Sequence, residues 1–340
     1  MNSQSSSSRA PNIRDVARAA GVSHQTVSRV LNDSPNLRPE TRQKVLDVIA
    51  AMSYRPNQAA RALVTSRSHT IGVLVATRAA AYGVQTILYE IEDAARYAGY
   101  RLAIATSSSD DESVSEALAQ LIGQAAEAVV VVAPQSRVFD ALARTAPLHI
   151  PFVMLDSSRR DAGHSISVDQ FEGARLATAH LIDLGHRHIV HLAGPQDWIE
   201  AEARMQGFLR EVGDHELYVD PPLLGDWTAE SGYRVGRELV KRVDFTAVFC
   251  SNDLIALGLL HALREAEVRV PEDVSVVGFD DVPEAAHFSP PLTTIRQDFA
   301  EVGRRAIGLL LAELGSGGAR HTEAIPAQLV VRATTAPPRL

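Results

Sequence analysis

Apolar residues recur at helical spacing in three short segments near the start of the chain. Within each segment they stand three or four positions apart, which places them on one face of an α-helix. Three such helices with about four apolar residues each suffice for a small core of roughly 45 residues. The predicted inner faces consist of Ile13, Val16, Ala17 and Ala20; Val27, Val30 and Leu31; and Val45, Val48, Ile49 and Met52.

The boundaries of these helices are marked by residues that favour helix ends. Asn12 is a suitable N-cap for the first helix, and Asp15 places an acid in its first turn. Gly21 ends that helix, and Ser23 can cap the next one after a tight turn. Pro39 suits the first position of the third helix. The sequence therefore predicts two short helices joined by a tight turn, followed by a third.

From Thr70 onward, short apolar runs alternate with amphipathic segments. Near-continuous runs of Val, Ile and Leu predict strands buried on both faces, and their alternation with helices predicts parallel α/β sheets. The connections differ between the two halves, so two lobes fit better than one barrel. The predicted strands cover 71–77, 101–107, 128–134, 151–157, 188–194, 247–253 and 274–281, and the predicted helices lie near 85–98, 112–124, 171–184, 199–212, 228–242, 254–266 and 299–314.

The charge of the chain is divided unevenly between these two regions. Residues 1–69 hold ten basic and four acidic residues, a net charge of +6, whereas residues 70–340 carry −14. A basic head on an acidic body suggests that only the head meets a polyanion. Cys250 is the only cysteine, and the chain has no apolar run of membrane-spanning length and no signal peptide, so we expect a cytoplasmic protein.

The tight turn between the first two helices is typical of a helix-turn-helix, whose second helix enters the major groove of DNA. With its apolar residues buried, that helix presents His24, Gln25 and Arg29 outward. Glutamine suits the edge of adenine and arginine that of guanine, so these side chains are candidates for reading bases. The alternative is a small helical bundle with an ordinary polar surface.

Two stretches of this region carry a resemblance to a known family. NIRDVARAAGVSHQTVSRVLN, residues 12–32, and YRPNQAARAL, residues 54–63, resemble the lac repressor family of bacterial regulators, and the similarity extends to about residue 335. The resemblance implies that His24, Gln25 and Arg29 read bases. It also implies that Ser23, Thr26, Asn32, Thr41 and Asn57 contact the DNA backbone and that Ala60 and Leu63, in a hinge helix, enter the minor groove.

The resemblance also implies the overall organisation of the chain. We expect an all-α helix-turn-helix domain followed by an α/β core of two doubly wound parallel-sheet lobes, similar to periplasmic sugar-binding proteins, with three crossings between the lobes. The expected divisions are a disordered tail at 1–10, the helix-turn-helix domain at 11–55, the hinge and linker at 56–69 and the core at 70–340, with lobe 1 at about 70–168 and 299–325 and lobe 2 at about 169–298 and 326–340.

Polar residues follow several predicted strands of the core, where open parallel sheets bind their ligands. Asp156 follows one strand, Asn252 and Asp253 follow another, and Asp280 follows a third. One of the pair Asn252 and Asp253 is also expected to act as the N-cap of the next helix. The sequence thus places a candidate ligand cleft at the carboxyl ends of these strands.

The family resemblance extends to this cleft. The residue types there resemble those of the galactoside-binding members, and aromatic, arginine and acceptor side chains suit a sugar with vicinal hydroxyls. Val168 stands where those members have phenylalanine, and the loop 78–86 differs, so the aglycone side of the specificity is expected to differ. The implied effector-binding residues are Asp156, Arg204, Trp227, Asn252, Asp280, Gln297 and Phe299.

Three other kinds of site are alternatives to a sugar-binding cleft: a metal site, a glycosidase active site and a nucleotide site. The three histidines of GHRHIVH, residues 185–191, could bind a metal, although Gly185 more simply ends a helix before a strand. Asp156 and Asp280 could form a glycosidase carboxylate pair, but the DNA-binding head disfavours an enzyme. The chain contains neither GxGxxG nor GxxxxGK[ST], so nucleotide chemistry has no support.

We therefore predict a transcriptional repressor that binds operator DNA as a homodimer and is released by a small sugar, most simply a galactoside. No cofactor, metal or membrane is implied. The alternatives are another sugar, a nucleoside or a purine as effector, or a sugar-binding or hydrolytic protein whose basic head serves another purpose. The last residues, LVVRATTAPPRL, contain no leucine heptads, which favours a dimer over a tetramer.

Overall fold

The chain folds into two compact units, Met1–Ser68 and His69–Leu340. The computed structural model describes residues 11–31, 34–35, 37–54, 67–77, 82–108, 110–135, 138, 150–155, 165–242, 244–315 and 324–339. The expected tail at 1–10, the hinge helix with Asn57, Ala60 and Leu63, and the positions of Asn32 and Asp156 lie outside the described residues. None of the described helices combines the length and the apolar character that crossing a lipid bilayer requires.

The described residues of the first unit form three helices, called the head below: α1 (Ile13–Ala20), α2 (His24–Leu31) and α3 (Pro39–Ala51). Their apolar faces meet in one small cluster, which confirms the helical spacing found in the sequence. Tyr54, just beyond α3, joins this cluster. Its fully or nearly buried members are Val16, Ala17, Ala20, Val27, Val30, Val45 and Tyr54.

Local side-chain chemistry fixes the ends of these helices. The Asn12 carboxamide oxygen accepts hydrogen bonds from the backbone N–H groups of Arg14 and Asp15, and the Asp15 carboxylate accepts one from the N–H of Asn12. Gly21 closes α1 at a φ of 63°, a left-handed conformation that glycine adopts readily. The Ser23 hydroxyl accepts from the Thr26 N–H, 3.1 Å away, at the start of α2. The caps expected from the sequence are thus present.

The second unit, called the core unit below, begins with a five-stranded parallel sheet in the order β2-β1-β3-β4-β5. This sheet defines lobe 1, and the helices α4 (Tyr82–Tyr97), α5 (Asp111–Gly123) and α10 (Phe299–Gly315) pack against it. Its central strands are completely buried, as their Val- and Ile-rich sequences predict. The strands are β1 (Thr70–Val75), β2 (Arg101–Thr106), β3 (Ala128–Val132), β4 (Phe152–Leu155) and β5 (Ser165–Ile166).

A second parallel sheet, in the order β7-β6-β8-β9, defines lobe 2. Its helices pack in two pairs, α6 against α7 and α8 against α9. The strands are β6 (Ile189–Ala193), β7 (Leu223–Leu224), β8 (Ala247–Cys250) and β9 (Ser275–Val277), and the helices are α6 (Gln170–Asp183), α7 (Ile199–Asp214), α8 (Ala229–Leu239) and α9 (Asp253–Glu265).

Three segments of the core unit cross between the lobes. The first runs from β5 to α6. The third contains Ile325, after α10, and a bridge between Val168 and Ile325 pairs the first segment with the third. The second leads from β10 (Thr294–Arg296) into α10, and β10 pairs antiparallel with β11 (Gln328–Val330). An all-α head and two parallel-sheet lobes confirm the fold class predicted from the sequence. The boundaries of the predicted domains stay a prediction.

All seven strands predicted from apolar runs are present, with shorter bounds. Four further strands, β5, β7, β10 and β11, contain only two or three residues each. These four strands were not predicted, because strands this short depend on their pairing partners rather than on their own composition.

Candidate functional site

The exposed face of α2 carries the side chains proposed to read bases. His24, Gln25 and Arg29 are exposed, whereas Val27 and Val30 of the same helix are buried. Gln25 and Arg29 are one helical turn apart and therefore project from the same side. The helix thus separates a core-facing apolar side from a polar side that is open to a partner.

The side chains proposed to contact the DNA backbone surround this helix. Ser23 is exposed, and its hydroxyl lies 2.9 Å from that of Thr26. Thr41, in the first turn of α3, is half-buried. The roles of these residues toward DNA stay predictions.

A cavity with about 420 Å³ of empty space, part of it open to solvent, lies in the core unit between elements of the two lobes. Six of the seven residues predicted to bind an effector line it, and the seventh, Asp156, lies outside the described residues. The lining consists of Tyr82, Gly83, Val84, Ile87, Trp198, Glu200, Arg204, Trp227, Asn252, Asp280, Gln297 and Phe299.

Four buried polar side chains form a closed ring at this cavity. The Arg204 Nε donates to the Gln170 Oε1 at 2.9 Å, and the Gln170 Nε2 donates to the Gln297 Oε1 at 2.8 Å. The Gln297 Nε2 donates to the Asp280 Oδ1 at 2.7 Å, and the Arg204 Nη2 lies 3.5 Å from that same oxygen. Each member is fixed by two others, so the polar groups are oriented before any ligand arrives.

Aromatic rings enclose the guanidinium of Arg204. Its Cζ lies 3.9 Å from the ring centroid of Phe279 and 5.4 Å from that of Trp227. Gly194 allows Trp227 to lie this deep, because a Cβ at position 194 would be 2.4 Å from the indole. The indole N–H of Trp227 is buried without a hydrogen-bond partner among the described residues. A ligand with an acceptor atom could satisfy it.

Burial raises the pKa of Asp280 from its ordinary value of 3.8 to about 6, although Arg204 and the hydrogen bond from Gln297 both lower it. The backbone of Asp280 has a φ of 110°, a region that L-residues rarely adopt. A bridge to the backbone of Arg296 holds the Asp280 backbone in this conformation. The cavity thus presents an acceptor whose charge depends on pH near neutrality.

Asn252 has a structural role as well as a place in the cavity wall. Its Oδ1 accepts from the Ile255 N–H at 2.7 Å and caps α9, and its Nδ2 donates to the backbone carbonyl of Trp227 at 3.1 Å. Asp253 is fully buried and accepts from Val282 and Thr294, so it holds the loop after β9 in place. Of the two cap candidates named from the sequence, Asn252 is the N-cap.

The residues of the cavity lining and of the polar ring that were not predicted from the sequence are Tyr82, Gly83, Val84, Ile87, Trp198 and Glu200 in the lining and Gln170 in the ring. Glu200 stands four residues before Arg204 on α7, so helical spacing alone could have placed it on the same face. Tyr82 begins α4, within the stretch 78–86 whose sequence differs from the family, and its ring meets Phe299 edge-on at 6.2 Å. Trp198 is the N-cap residue of α7 and packs against Trp227, a contact between residues distant in sequence that no local pattern reveals.

The three histidines of the stretch 185–191 have different surroundings: His186 contacts Thr246 and Ser275, His191 stacks on Phe249, and only His188 belongs to an acidic cluster. The ligand atoms of His188, Asp220 and Asp244 lie within 4.8 Å of one another. Arg242 donates hydrogen bonds to both carboxylates and holds the pKa of each below its ordinary value. A guanidinium thus already provides the positive charge at this cluster.

Comparison with known proteins accounts for both units of the chain. Residues 12–57 match the model of bacterial regulatory proteins of the lacI family, and residues 178–335 match a periplasmic binding protein-like domain. The chain is 34% identical to the HTH-type transcriptional repressor PurR of Mannheimia succiniciproducens, over 94% of this chain and 97% of that protein. It is 33% identical to the lactose operon repressor of Escherichia coli, over 95% of this chain and 90% of that protein.

Solved structures give the same result. The lac repressor dimer bound to operator and the anti-inducer ONPF superimposes with a TM-score of 0.86 at 31% identity, covering 96% of this chain and all of that one. The complex of the transcriptional regulator CelR with cellobiose superimposes with a TM-score of 0.70 at 30% identity, covering 95% of this chain and 99% of that one. The family expected from the sequence is confirmed, and this chain belongs to the lacI family of bacterial regulatory proteins.

Proposed function

We propose that this protein is a DNA-binding transcriptional repressor whose affinity for its operator is lowered by a small sugar bound in the core unit. The observation that carries the proposal is the ring of Arg204, Gln170, Gln297 and Asp280 beside the indole of Trp227. Fixed donors and acceptors bind hydroxyl groups in set directions, and an aromatic face packs on the apolar side of a pyranose. The protein acts by binding and not as an enzyme.

The DNA-binding part of the proposal rests on the head. The exposed side chains of α2 match the family positions that read bases, and the net charge of residues 1–69 is +6. A homodimer would place two such helices on a pseudo-palindromic operator, which one head cannot bind with comparable specificity. The solved structure of a lac repressor dimer bound to operator supports this arrangement.

The proposed switch links the two units through the hinge. A ligand that favours one arrangement of the lobes shifts the relative positions of the paired hinge segments, including Ala60 and Leu63. A hinge helix of about nine residues is too short to be stable alone in water, so it depends on its partner and on DNA. Because coupling is reciprocal, operator DNA must weaken sugar binding by the same factor by which sugar weakens operator binding.

A galactoside is the first candidate effector, because the cavity residues resemble those of galactoside-binding members. The lac repressor has also been solved bound to ONPG, and CelR in complex with cellobiose. A purine or nucleoside is the second candidate, since Trp198 and Trp227 could stack on a base as well as on a sugar. A thermal-shift screen with galactosides, cellobiose, other sugars, nucleosides and purines separates the two classes.

The experiment that tests the function begins with selection of operator sequences from a random DNA library by the full-length protein. Fluorescence anisotropy then measures operator binding with and without the ligand found in the screen. We expect ligand to weaken operator binding, and deletion of residues 1–68 to abolish it while ligand binding survives. Tighter operator binding with ligand would contradict the proposal that ligand lowers operator affinity. Glycoside turnover by the purified protein would favour the enzymatic alternative.

The recognition helix has its own test. Arg29→Ala should weaken operator binding by about 1–3 kcal/mol and relax the preference at one base pair of each half-site. Arg18→Ala is a matched control, since Arg18 is also exposed but lies on α1. It should lower affinity for all sequences alike. An unchanged base preference in the Arg29 variant would contradict its assigned role.

A further inference from the structure

The start of α7 joins the two lobes beside the cavity. Trp198 forms an antiparallel bridge with Gln135, which follows β3 of lobe 1. The Ile199 N–H donates to the carbonyl of Pro134 at 2.8 Å, and the Gln135 Nε2 donates to the Asp197 Oδ2 at 2.6 Å. Asp197, Trp198 and Ile199 thus bond a lobe 2 helix to lobe 1.

The side chain of Ile199 strengthens this junction. It is 9% exposed and belongs to a hydrophobic cluster whose other members come from lobe 1, although Ile199 itself begins a lobe 2 helix. Opening the cleft at this point would expose it to water, so its burial favours the joined state. The lobe 1 members of the cluster include Leu74, Ala76, Val131, Ala133, Val138 and Met154.

The neighbouring side chain points to the ligand site instead. The Trp198 ring lines the cavity and packs edge-on against Trp227, with centroids 5.4 Å apart and planes at 66°. Arg204 lies over the same Trp227 ring. Two consecutive residues therefore have different contacts: Trp198 lines the cavity, and Ile199 packs against lobe 1.

We propose that Asp197–Ile199 is an interlobe latch and that Trp198 is a specificity-determining residue through which the ligand acts on it. The proposal rests on the proposed function, since it names the ligand of the same cavity. A ligand whose face packs on the Trp198 ring gains that contact only while the segment is joined to lobe 1, so it stabilises the latch. Ile199 lies outside the cavity lining and acts as a positioning residue.

The latch can be tested without any ligand. Spin labels on Gln120→Cys in lobe 1 and Gln206→Cys in lobe 2 report the distance between lobes, because both positions are exposed and the native Cys250 is buried. Pulsed electron resonance should show a changed distance distribution in Ile199→Ala and a smaller change in Ile199→Val. Identical distributions in all three proteins would overturn the latch.

A matched control separates the latch from general destabilisation. Ile182→Ala removes the same atoms from a nearly buried position on α6, which has no contact with the latch among those described. Its distance distribution should equal that of the parent protein. An Ile182 variant that changes as much as the Ile199 variant would assign the effect to lost stability and overturn the proposal.

Calorimetric titration with methyl β-D-galactopyranoside, cellobiose and guanine tests the ligand side. For the probe that binds, Trp198→Ala should weaken affinity about 30-fold, the scale of a buried aromatic anchor, whereas Trp198→Phe keeps an aromatic face and should stay within about fivefold. Ile199→Ala should weaken binding about tenfold if the latched population falls to one tenth.

The results distinguish this inference from the proposed function. If the parent protein binds guanine and neither sugar, the sugar effector is wrong, while the Trp198 and Ile199 variants still decide whether the latch affects affinity. If it binds none of the three probes, the distance between the spin labels still tests whether Asp197–Ile199 joins the two lobes. Parent-like affinity in both Trp198→Ala and Ile199→Ala would overturn the role of the segment in ligand recognition.

Discussion

The head and the core unit prepare their polar side chains for partners in opposite ways. On α2, His24, Gln25 and Arg29 are exposed on a helix held by a small cluster of apolar residues. In the cavity, Arg204 and Asp280 are nearly buried and joined by hydrogen bonds into a ring. One surface offers side chains that can reorient, and the other offers groups already fixed in direction.

This difference fits the partners proposed for each unit. Duplex DNA is large and highly charged, so many weak and adjustable contacts add up to a strong interaction. A small ligand makes few contacts, and each must be well oriented because little binding energy is available to order side chains. The largest effect of a single mutation on binding is therefore expected in the cavity.

Arg204→Ala should have the largest effect. It removes the centre of the polar ring and leaves the buried Asp280 carboxylate without its positive partner, a change that typically costs about 3–5 kcal/mol. We expect ligand affinity to fall more than 100-fold, while the purified protein still binds operator. Calorimetry measures the first quantity and anisotropy the second. Arg210→Ala, on the exposed side of the same helix, should leave both unchanged.

Gly194→Ala should have the next largest effect. The added methyl group would meet the Trp227 ring, so the indole must shift, and overpacking of this kind costs roughly 1–3 kcal/mol. Ligand affinity should fall about tenfold or more, together with a lower melting temperature. Gly213→Ala on α7 meets no atom within 4 Å and is the control. Unchanged ligand binding in the Gly194 variant would show that the Trp227 position is not critical.

The pH dependence of ligand binding should be of moderate size. An ionised Asp280 accepts hydrogen bonds from ligand hydroxyls better than its protonated form, and its pKa is about 6. Affinity should therefore be about tenfold weaker at pH 5 than at pH 7, measured by calorimetry. Asp280→Asn should show a flatter profile. A flat profile in the parent protein would contradict a direct role for this carboxylate.

The raised pKa of Asp280 also determines how the free energy of unfolding changes with pH. Because the folded-state pKa of Asp280 lies above the ordinary value of 3.8, the folded protein binds this proton more tightly than the unfolded chain. The contribution of Asp280 to the free energy of unfolding is fully present below about pH 4 and is lost as pH rises through about 6. Denaturant titrations of the parent protein and Asp280→Asn across this range measure the difference.

Asn12→Ala should have the smallest effect. It removes the acceptor of two backbone N–H groups at the start of α1 and should destabilise that helix by about 1 kcal/mol. Hydrogen exchange of the α1 amides in the full-length protein should accelerate about fivefold, with no change in ligand affinity. If amide hydrogen exchange accelerated equally in the core unit, the head and the core unit would not be independent in stability.

The fold could be predicted wherever local sequence chemistry decides the structure. Asn12, Gly21 and Pro39 mark helix ends by their own preferences, and the apolar runs of β1 and β3 identify buried strands. The short strands β5 and β7 could not be found, because their pairing with strands distant in sequence defines them. Long-range contacts carry information that a window of ten residues does not contain.

In the candidate site, too, residues marked by local sequence were predicted and residues placed by long-range contacts were not. Asp280 and Asn252 could be placed from their positions after strands, and the family pattern added Arg204 and Trp227. Gln170 and Trp198 were missed because each contacts partners far away in sequence: Gln170 closes the polar ring with Arg204 and Gln297, and Trp198 packs against Trp227. Their involvement depends on long-range contacts rather than on any motif.

The double use of Asn252 limits how the specificity of this cavity can change. Its amide group caps α9 and holds the Trp227 backbone, so replacing it would disturb a helix end and an aromatic wall at the same time. Members of the polar ring are constrained in a similar way by their mutual hydrogen bonds. New ligand preferences in this lineage should therefore arise by substitution at Tyr82, Trp198 and Glu200, leaving the inner framework intact.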